Sequence, residues 1–201
     1  MALPPRLVVA TKNADKVREV RAVLAEVAPH VRLVEELDWP DVAETGETLE
    51  ENALLKARAV AAATGLAALA DDTGLEVEAL GGAPGVHTAR FAAVRSGEPG
   101  TVYAANRRAL LAALRGAPGR RARFRTVVAL VTPGGQGWLA DGVLEGQITT
   151  VERGSGGFGY DPIFEVEGRT LAELSEWEKN RISHRARALR ALATGEGRPV
   201  V

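Results

Sequence analysis

The chain has 201 residues, with 25 Lys and Arg against 26 Asp and Glu, and its formal net charge of -1 argues against a broad nucleic-acid-binding surface. The length suits one domain or two lobes that share a cleft, and 46% hydrophobic residues supply a sizeable core. The absence of Cys excludes disulfides, thiolate zinc sites and a thiol nucleophile. No apolar run reaches the roughly 20 residues of a membrane helix and the N-terminus lacks the features of a signal peptide, so we expect a cytoplasmic protein.

The first half of the chain is predicted to alternate strands and helices. An apolar strand at Arg6–Ala10 ends in a polar turn, and Val17, Val20 and Leu24 then recur with helical spacing. The pattern that follows predicts a strand near Val31–Val34, an exposed acidic loop at Asp38–Glu47, and a helix that begins at the capping box of Thr48 and Glu51, runs to Thr64 and stops at Gly65. It then predicts a strand at Leu66–Ala70, a turn at Asp71–Gly74 and a strand at Leu75–Leu80. This interpretation places two adjacent carboxylates at a strand end.

The second half is predicted to contain a long hairpin. Strands at Ala122–Val131 and Trp138–Val151 flank a turn at Thr132–Gly137, and such a hairpin requires antiparallel pairing beside the crossover units. The remaining predicted elements are a loop at Gly81–Gly85, a Gly/Pro break at Gly97–Gly100, a helix at Thr101–Arg115, a Gly-rich loop at Gly154–Pro162 and a last helical segment whose buried stripe is Ile182, Ala186, Leu189 and Ala193. The fold class is therefore α/β with a mixed sheet.

One candidate phosphate site is the loop Thr11–Lys16, which joins a strand to the N-terminus of a helix. Backbone N–H groups at such an end are unpaired, the helix dipole is positive there, and Lys16 adds a charge. Most junctions of this kind bind nothing, so the loop alone does not establish a ligand. Lys56 shares a helix face with Asn52 and either reaches a phosphate or extends along the surface.

Carboxylates in two segments are candidate ligands for magnesium. Glu44 and Glu47 lie in the acidic loop, and Asp71 and Asp72 lie at the predicted strand end. Magnesium commonly uses one or two carboxylates together with water and substrate phosphates, so one pair from these segments suffices. Adjacent strand residues point to opposite faces, so only one of the two aspartates is expected to enter a cleft. A capped turn before Gly74 is the structural alternative.

Two further segments carry candidate base-binding groups. Phe158 and Tyr160 lie in the Gly-rich loop, where an exposed ring would suit stacking on a nucleobase, although both rings can equally pack onto the core. Ser183 is predicted to cap a new helix, so that His184 and Arg185 occupy its first turn, where they suit an anion or a polar base edge. A solvated surface histidine is the alternative. The alternating residues Arg121, Arg123 and Arg125 are interpreted as a solvated strand face.

Taken together, these segments resemble the inosine triphosphate pyrophosphatase family, also called the Ham1-like family. The resemblance runs in order from about Leu7 to Leu192 and is specific because many short motifs recur together. The matching residues are Thr11–Lys16, Glu44–Gly46, Glu51–Ala53 with Lys56–Ala57, Ala70–Leu75, Gly81–Val86, Ala89–Arg90, Gly156–Pro162, Glu178–Lys179 and Ser183–Arg185. Thr73 stands where the family often has Ser and keeps the hydroxyl, so we expect a tuned rate and no loss of activity.

The resemblance implies an elongated mixed α/β fold in which residues 1–201 form one domain of two lobes around a central cleft. It also implies a homodimer and magnesium-dependent hydrolysis of ITP, dITP and XTP to the monophosphate and pyrophosphate. It makes Asp72 the catalytic base and a metal ligand, with Glu44 as the other metal ligand. The residues it assigns to the triphosphate are Thr11, Lys12, Asn13, Ala14, Asp15, Lys16 and Lys56. It assigns to the rest of the substrate Thr73, Phe158, Gly159, Tyr160, Asp161, Lys179, His184 and Arg185. Among these, Phe158 would stack on the purine, and the last four would read or anchor the base.

Two other functions remain open at the level of sequence. A nucleotide sensor or single-strand nucleic-acid module could use the Gly-rich loop and the Arg-bearing strand, and it would bind without turnover and with a steep salt dependence. A related pyrophosphatase acting on other damaged or pyrimidine nucleotides would use the same phosphate and metal groups. A substrate panel separates all three hypotheses.

Overall fold

The computed structural model describes residues 2–35, 37–92 and 99–200. Within these ranges the chain forms a nine-stranded sheet and five α-helices. The strands are β1 (Arg6–Val9), β2 (Arg32–Leu33), β3 (Ala67–Val77), β4 (Pro84–Gly85), β5 (Arg121–Val131), β6 (Gly137–Ile148), β7 (Phe164–Val166), β8 (Arg169–Thr170) and β9 (Arg198–Val200). The helices are α1 (Ala14–Val27), α2 (Leu49–Thr64), α3 (Pro99–Ala113), α4 (Glu176–Ile182) and α5 (His184–Ala193).

The sheet is mixed, as the sequence predicted. Its strand order is β2-β1-β3-β5-β6-β7-β8, with β4 beside β3 and β9 beside β6. Strand β1 is parallel to β2 and β3, whereas β6 is antiparallel to β7 and β9. The predicted hairpin is confirmed, because β5 and β6 are neighbours joined by a turn in which the Thr132 amide donates to the Gln136 carbonyl over 2.8 Å.

The chain divides into two compact units. Unit 1 comprises Met1–Asp72, Thr126–Val143 and Ser183–Val201, and unit 2 comprises Thr73–Arg125 and Leu144–Ile182. Three of the four boundaries fall inside β3, β5 and β6, and the fourth lies between α4 and α5. The prediction of a single functional domain with a central cleft stays a prediction. None of the helices in the described ranges is long and apolar enough to cross a membrane.

The core of unit 1 is formed where α1 and α5 pack beside the strands. Leu7 and Leu69 from the parallel strands, Leu24 from α1 and Leu189 from α5 are all essentially inaccessible to solvent. Gly142 in β6 permits this packing, because a Cβ at that position would overlap the His184 carbonyl oxygen and the Ala188 amide nitrogen. The missing side chain therefore brings the first turn of α5 directly onto the strand.

Unit 2 has a separate core. Its largest fully buried side chains include Leu75 from β3, Leu110 from α3, and Ile163 and Phe164 from the segment that leads into β7. The Phe164 ring lies 4.6 Å from the Phe124 ring of β5, centroid to centroid, in a tilted geometry. This spacing lies within the range of favourable aromatic pairs.

Several helix boundaries agree with the sequence signals. The capping box of Thr48 and Glu51 opens α2, and Gly65 ends it in the left-handed conformation with φ 66°. Ser183 separates α4 from α5 and its hydroxyl accepts a hydrogen bond from the Ala186 amide, so the predicted helix restart is confirmed. Helix α3 begins at Pro99, and the part of the predicted Gly/Pro break before it lies outside the described residues.

The predicted strand break at Asp71–Gly74 is wrong. Strand β3 runs without interruption from Ala67 to Val77, so Asp71 and Asp72 lie in its middle. Carboxylates are rare in buried strands because of their desolvation cost, but both are compensated here by cations from neighbouring helices. Sequence patterning detects the charge in a strand and cannot detect its distant partner.

Candidate active site

Unit 1 brings together a lysine and the two carboxylates proposed as metal ligands. The Lys56 ammonium on α2 donates to Glu44 Oε1 over 2.8 Å and to Asp72 Oδ1 over 3.0 Å. The Lys56 and Asp72 side chains are only 11% and 10% exposed, whereas Glu44 is 31% exposed. A loop, a helix and a strand therefore place two carboxylates around one cation.

Burial and charge act in opposite directions on this cluster. Burial lowers the pKa of Lys56, but the carboxylates of Asp72, Asp71 and Glu44 outweigh burial, and the pKa is raised above its ordinary value. Burial raises the pKa of Asp72, and the Lys56 and Lys16 charges only partly oppose that effect. Lys56 is thus firmly cationic, while Asp72 is a carboxylate with an increased affinity for a proton.

The neighbouring Asp71 has different partners. Its Oδ2 lies 3.0 Å from the Lys16 ammonium of α1 and 3.1 Å from Nη2 of Arg185 on α5. Arg185 also contacts Glu19 on α1 through Nη1, and its side chain is only 3% exposed. Burial favours the neutral form of Asp71, but the charges of Lys16, Arg185 and Lys56 outweigh it and hold the pKa of Asp71 far below the usual range. Asp71 therefore anchors two helices to β3.

The Thr11–Lys16 loop is already partly hydrogen-bonded. Asn13 is the N-cap of α1, and its Oδ1 accepts from the amides of Asp15 and Lys16 over 2.9 and 3.3 Å, while Thr11 Oγ1 accepts from the Asn13 amide. The expectation that these amides are unpaired is therefore wrong for four of them, because side chains of the same loop satisfy three and the Val9 carbonyl accepts from the Thr11 amide. The Asp15 carboxylate pairs with Arg18 over 2.9 Å, a helix-stabilising contact.

The two lysines of the same loop pair with different carboxylates. Lys16 faces Asp71, whereas Lys12 is exposed and pairs with Asp41 of the acidic loop over 2.6 Å. Thr11, Lys12 and Ala14 line a cavity of about 490 Å³, together with apolar residues such as Trp39. Among the described residues that line this cavity, Glu44, Asp71 and Asp72 are absent. The charged cluster rather than the cavity is therefore the candidate for chemistry in unit 1.

His184 is buried in unit 1. Its Nδ1 lies 2.6 Å from Thr126 Oγ1 of β5, and the residue is 4% exposed. The alternative of a solvated surface histidine is therefore wrong. The histidine and Arg185 do occupy the first turn of α5, as predicted, but the structure gives Arg185 two carboxylate partners. Their assignment to the purine stays a prediction.

Unit 2 contains a second group of candidate residues, around the Phe158 ring. The Lys179 ammonium lies 4.7 Å from the centroid of this half-buried ring and contacts Asp161 Oδ2. Asp161 Oδ2 also accepts from the Phe158 amide over 2.8 Å. Gly157 has φ 65° and approaches Asp161 so closely that a Cβ would overlap its carboxylate. Cation, carboxylate and ring thus form one compact arrangement.

The other substrate candidates of unit 2 differ in accessibility. The Tyr160 ring is 4% exposed, packs in the unit 2 core and donates its hydroxyl to the Thr88 carbonyl over 2.9 Å. The alternative in which the rings of the loop pack onto the core therefore holds for Tyr160, whereas the Phe158 ring is only half-buried. Gly159 is half-buried with φ 62°, and Thr73 is half-buried in β3 directly after Asp72.

Sequence reasoning missed Glu19 and Thr126, and it considered Asp71 only as a candidate magnesium ligand and not as a partner of Lys16 and Arg185. Glu19 follows Lys16 by three residues and therefore shares its face of α1, and only 8% of Glu19 is exposed. Its position at the edge of an apolar stripe was an available signal, whereas Thr126 gave none. No group of three or more His, Cys, Asp or Glu side chains among the described residues is arranged to hold a metal ion by itself.

Comparisons with known proteins agree on one family. The sequence model of the Ham1 family matches residues 7–195. A protein of Symbiobacterium thermophilum named dITP/XTP pyrophosphatase is 52% identical over 187 residues, which cover 92% of this chain and 91% of that protein. The solved structure of a HAM1 protein from Coxiella burnetii superposes with a TM-score of 0.82 at 40% identity, over 96% of this chain and 98% of the other. A structure from Mycobacterium abscessus, described as a nucleoside-triphosphatase and dITP/XTP pyrophosphatase, gives a TM-score of 0.70 at 44% identity over 93% and 97%.

Proposed function

This chain belongs to the Ham1 family, and we propose that it hydrolyses deaminated purine nucleoside triphosphates, namely ITP, dITP and XTP, to the monophosphate and pyrophosphate. Such a reaction removes deaminated purines from the nucleotide pool. The observation that carries the proposal is the convergence of Glu44 and Asp72 on the Lys56 ammonium, because this cluster supplies carboxylates for a divalent cation and a cation for phosphate. The name shared by the relatives supports the substrate class.

The residues of the cluster fit a hard divalent cation, and we propose Mg²⁺. Glu44 and Asp72 offer oxygen donors that already surround one positive charge, and magnesium needs only one or two carboxylates when phosphates and waters complete its coordination. When bound, Mg²⁺ would polarise a phosphoryl oxygen and neutralise developing negative charge. The remaining catalytic work falls to the side chains of the chain itself.

Asp72 has the chemistry of a general base. Its buried carboxylate has a raised pKa, which brings its proton affinity closer to that needed to accept a proton from an attacking water. Lys56, beside it, would counter the charge of the phosphate chain. Lys12, Lys16 and the N-terminal end of α1 would hold the remaining phosphate oxygens. Binding there requires the phosphate to compete with, or add to, the hydrogen bonds that Asn13 already accepts.

The Phe158 group has the chemistry to recognise a purine. A half-buried ring offers a stacking surface, and the Lys179 and Asp161 pair beside it offers a donor and an acceptor. A donor directed at a 6-keto oxygen would meet the 6-amino group of ATP as a like donor, and this mispairing disfavours ATP by a few kcal/mol. In the same proposal Tyr160 supports the loop from the core, and His184 and Arg185 anchor the base edge.

The decisive experiment is a panel of ITP, dITP, XTP, ATP, GTP and dCTP, assayed for pyrophosphate and for orthophosphate with and without Mg²⁺. We expect pyrophosphate from the first three substrates only, and only with a divalent cation. Orthophosphate as the first product would assign a different reaction class. Tight, salt-sensitive binding without turnover would favour the nucleotide sensor, and turnover of the pyrimidine would favour the related pyrophosphatase.

Replacement of Asp72 by Asn tests the assigned base. The amide keeps the shape of the side chain but cannot accept the proton of the attacking water, so kcat should fall by at least about a thousandfold. ITP binding measured by calorimetry should stay within about tenfold of wild type. A variant with near-normal turnover would remove Asp72 from the mechanism.

Two further parts of the proposal concern assembly and location. We propose a homodimer, which light scattering on the purified protein tests directly. A nucleotide-pool enzyme works where the nucleotides are, so we propose the cytoplasm, and the net charge of -1 favours no nucleic-acid partner.

A further inference from the structure

We propose that Arg107 is a positioning residue that fixes the loop carrying Phe158, and that it thereby sets the affinity for the base. Arg107 lies on α3, its side chain is only 15% exposed, and both it and the loop belong to unit 2. This inference rests on the proposed function, because it assigns Phe158 to the purine. It adds a residue outside the motifs that carry the family resemblance.

Arg107 contacts one residue inside the Gly-rich loop, Gly159, and one residue just before it, Glu152. Its Nη1 donates to the Gly159 carbonyl over 2.9 Å, immediately after Phe158. Its Nε lies 3.0 Å from Glu152 Oε1, before the glycines begin. This second contact is an ion pair without the alignment of a hydrogen bond. One guanidinium therefore connects two points seven residues apart in sequence to the same turn of α3.

The loop needs such an external contact because its own backbone is permissive. Gly157 and Gly159, on either side of Phe158, have φ values of 65° and 62°, a region that glycine enters freely. The ring itself is held by Lys179 and by Tyr103, whose ring centroid lies 6.0 Å away. Tyr103 precedes Arg107 by one helical turn, so α3 presents both contacts on one face.

Arginine suits this position better than lysine. The planar guanidinium carries several donors in fixed directions, so it can meet a carbonyl and a carboxylate at once. A lysine has a single side-chain nitrogen, so it lacks the two separate donor positions, Nη1 and Nε, that meet Gly159 and Glu152. The contacts of Arg107 with Gly159 and Glu152 both lie in unit 2, whereas Asp72 and Glu44 belong to unit 1, so its loss should act on base binding and leave the hydrolytic step intact.

The test compares Arg107→Met with Arg108→Met, a matched control on the next, exposed residue of the same helix. Steady-state pyrophosphate release from ITP gives KM and kcat for each, and thermal unfolding reports the fold. We expect Arg107→Met to raise KM about tenfold with kcat within about twofold, and Arg108→Met to change neither by more than about twofold. Equal KM values for the two variants overturn the proposal.

A base-free competitor separates positioning from general damage. Inorganic tripolyphosphate lacks a purine, so its inhibition constant should be the same in wild type and in Arg107→Met. A parallel weakening of tripolyphosphate and ITP overturns the proposal, because the defect would then extend beyond the base.

A second variant covers the case in which Arg107→Met does not fold. Arg107→Lys keeps the charge and one donor, so we expect an intermediate KM and a wild-type unfolding temperature, and a wild-type KM overturns the proposal. Failure of the proposed function is distinguishable, because wild type itself would then release no pyrophosphate from ITP.

Discussion

At the scale of single residues, Lys56 shows how two proposed metal ligands can be kept together in the folded protein without a metal ion. Its ammonium balances Glu44 and Asp72, which would otherwise be two uncompensated carboxylates at a partly buried site. We expect Lys56→Met to lose about 3 kcal/mol of unfolding free energy in chelator. Part of this loss should be restored by Mg²⁺. Thermal unfolding of both proteins with and without Mg²⁺ checks this, and an equal metal response in the two would contradict it.

Asp71 and Asp72 are adjacent in sequence but should respond differently to removal of their charge. Asp71→Asn leaves Arg185 buried with one carboxylate contact, Glu19, in place of two, so we expect a loss of about 3 kcal/mol in stability. Asp72→Asn should cost less, because burial already favours its neutral form. Urea unfolding measures both. If Asp71→Asn proves more stable than Asp72→Asn, then Asp72 and not Asp71 is the structural anchor of the pair.

The same residues mark a limit of sequence analysis. Asp72, Glu44 and Lys56 were recognised together because the family motifs include them, and the structure places them within hydrogen-bonding distance of one another through Lys56. The Glu19 contact with Arg185 spans 166 positions, and no local pattern indicates a pairing of that length. Its detection needed the packing of α1 beside α5.

At the scale of secondary-structure elements, Gly142 controls how α5 meets β6. Gly142→Ala would place a methyl group against backbone atoms of α5, which cannot move aside as a flexible side chain can. We expect a loss of about 2 kcal/mol in stability, measured by urea unfolding. Gly119→Ala is the control, because a Cβ there has no atom within 4 Å, and it should stay within about 0.5 kcal/mol of wild type. Equal stability losses in the two variants would show that α5 can shift to accommodate the added methyl group.

Elements whose ends are set by local chemistry were predicted well. The capping box at Thr48, the left-handed Gly65 and the Ser183 cap each act through atoms a few residues away, so sequence suffices to locate them. Strand β3 was divided wrongly because its carboxylates are neutralised by distant lysines and an arginine. The amides of the Thr11–Lys16 loop were misjudged for a different reason, since the N-cap Asn13 is a local acceptor for the Asp15 and Lys16 amides that the prediction did not consider.

At the scale of the whole molecule, the proposed phosphate and metal groups belong to unit 1, and the proposed stacking ring belongs to unit 2. Each group is held by contacts within its own unit. We therefore expect Phe158→Ala to raise KM for ITP by roughly ten- to a hundredfold, the range of base–aromatic stacking. The Mg²⁺-induced rise in unfolding temperature without nucleotide should be unchanged. A lost metal response in Phe158→Ala would show that the two groups are energetically coupled.

The buried phenol of Tyr160 has a consequence for spectroscopy. Burial raises the pKa of Tyr160 above the ordinary phenol value, and its hydroxyl is already donated to a carbonyl. The chain has 2 tyrosines. An alkaline ultraviolet difference spectrum will therefore carry little signal from Tyr160 at the pH where an ordinary phenol ionises. The ring of the other tyrosine, Tyr103, neighbours Phe158. The protein thus carries one phenol ring beside the loop proposed to bind the purine and a second one buried in the core of unit 2, and their different surroundings distinguish the two.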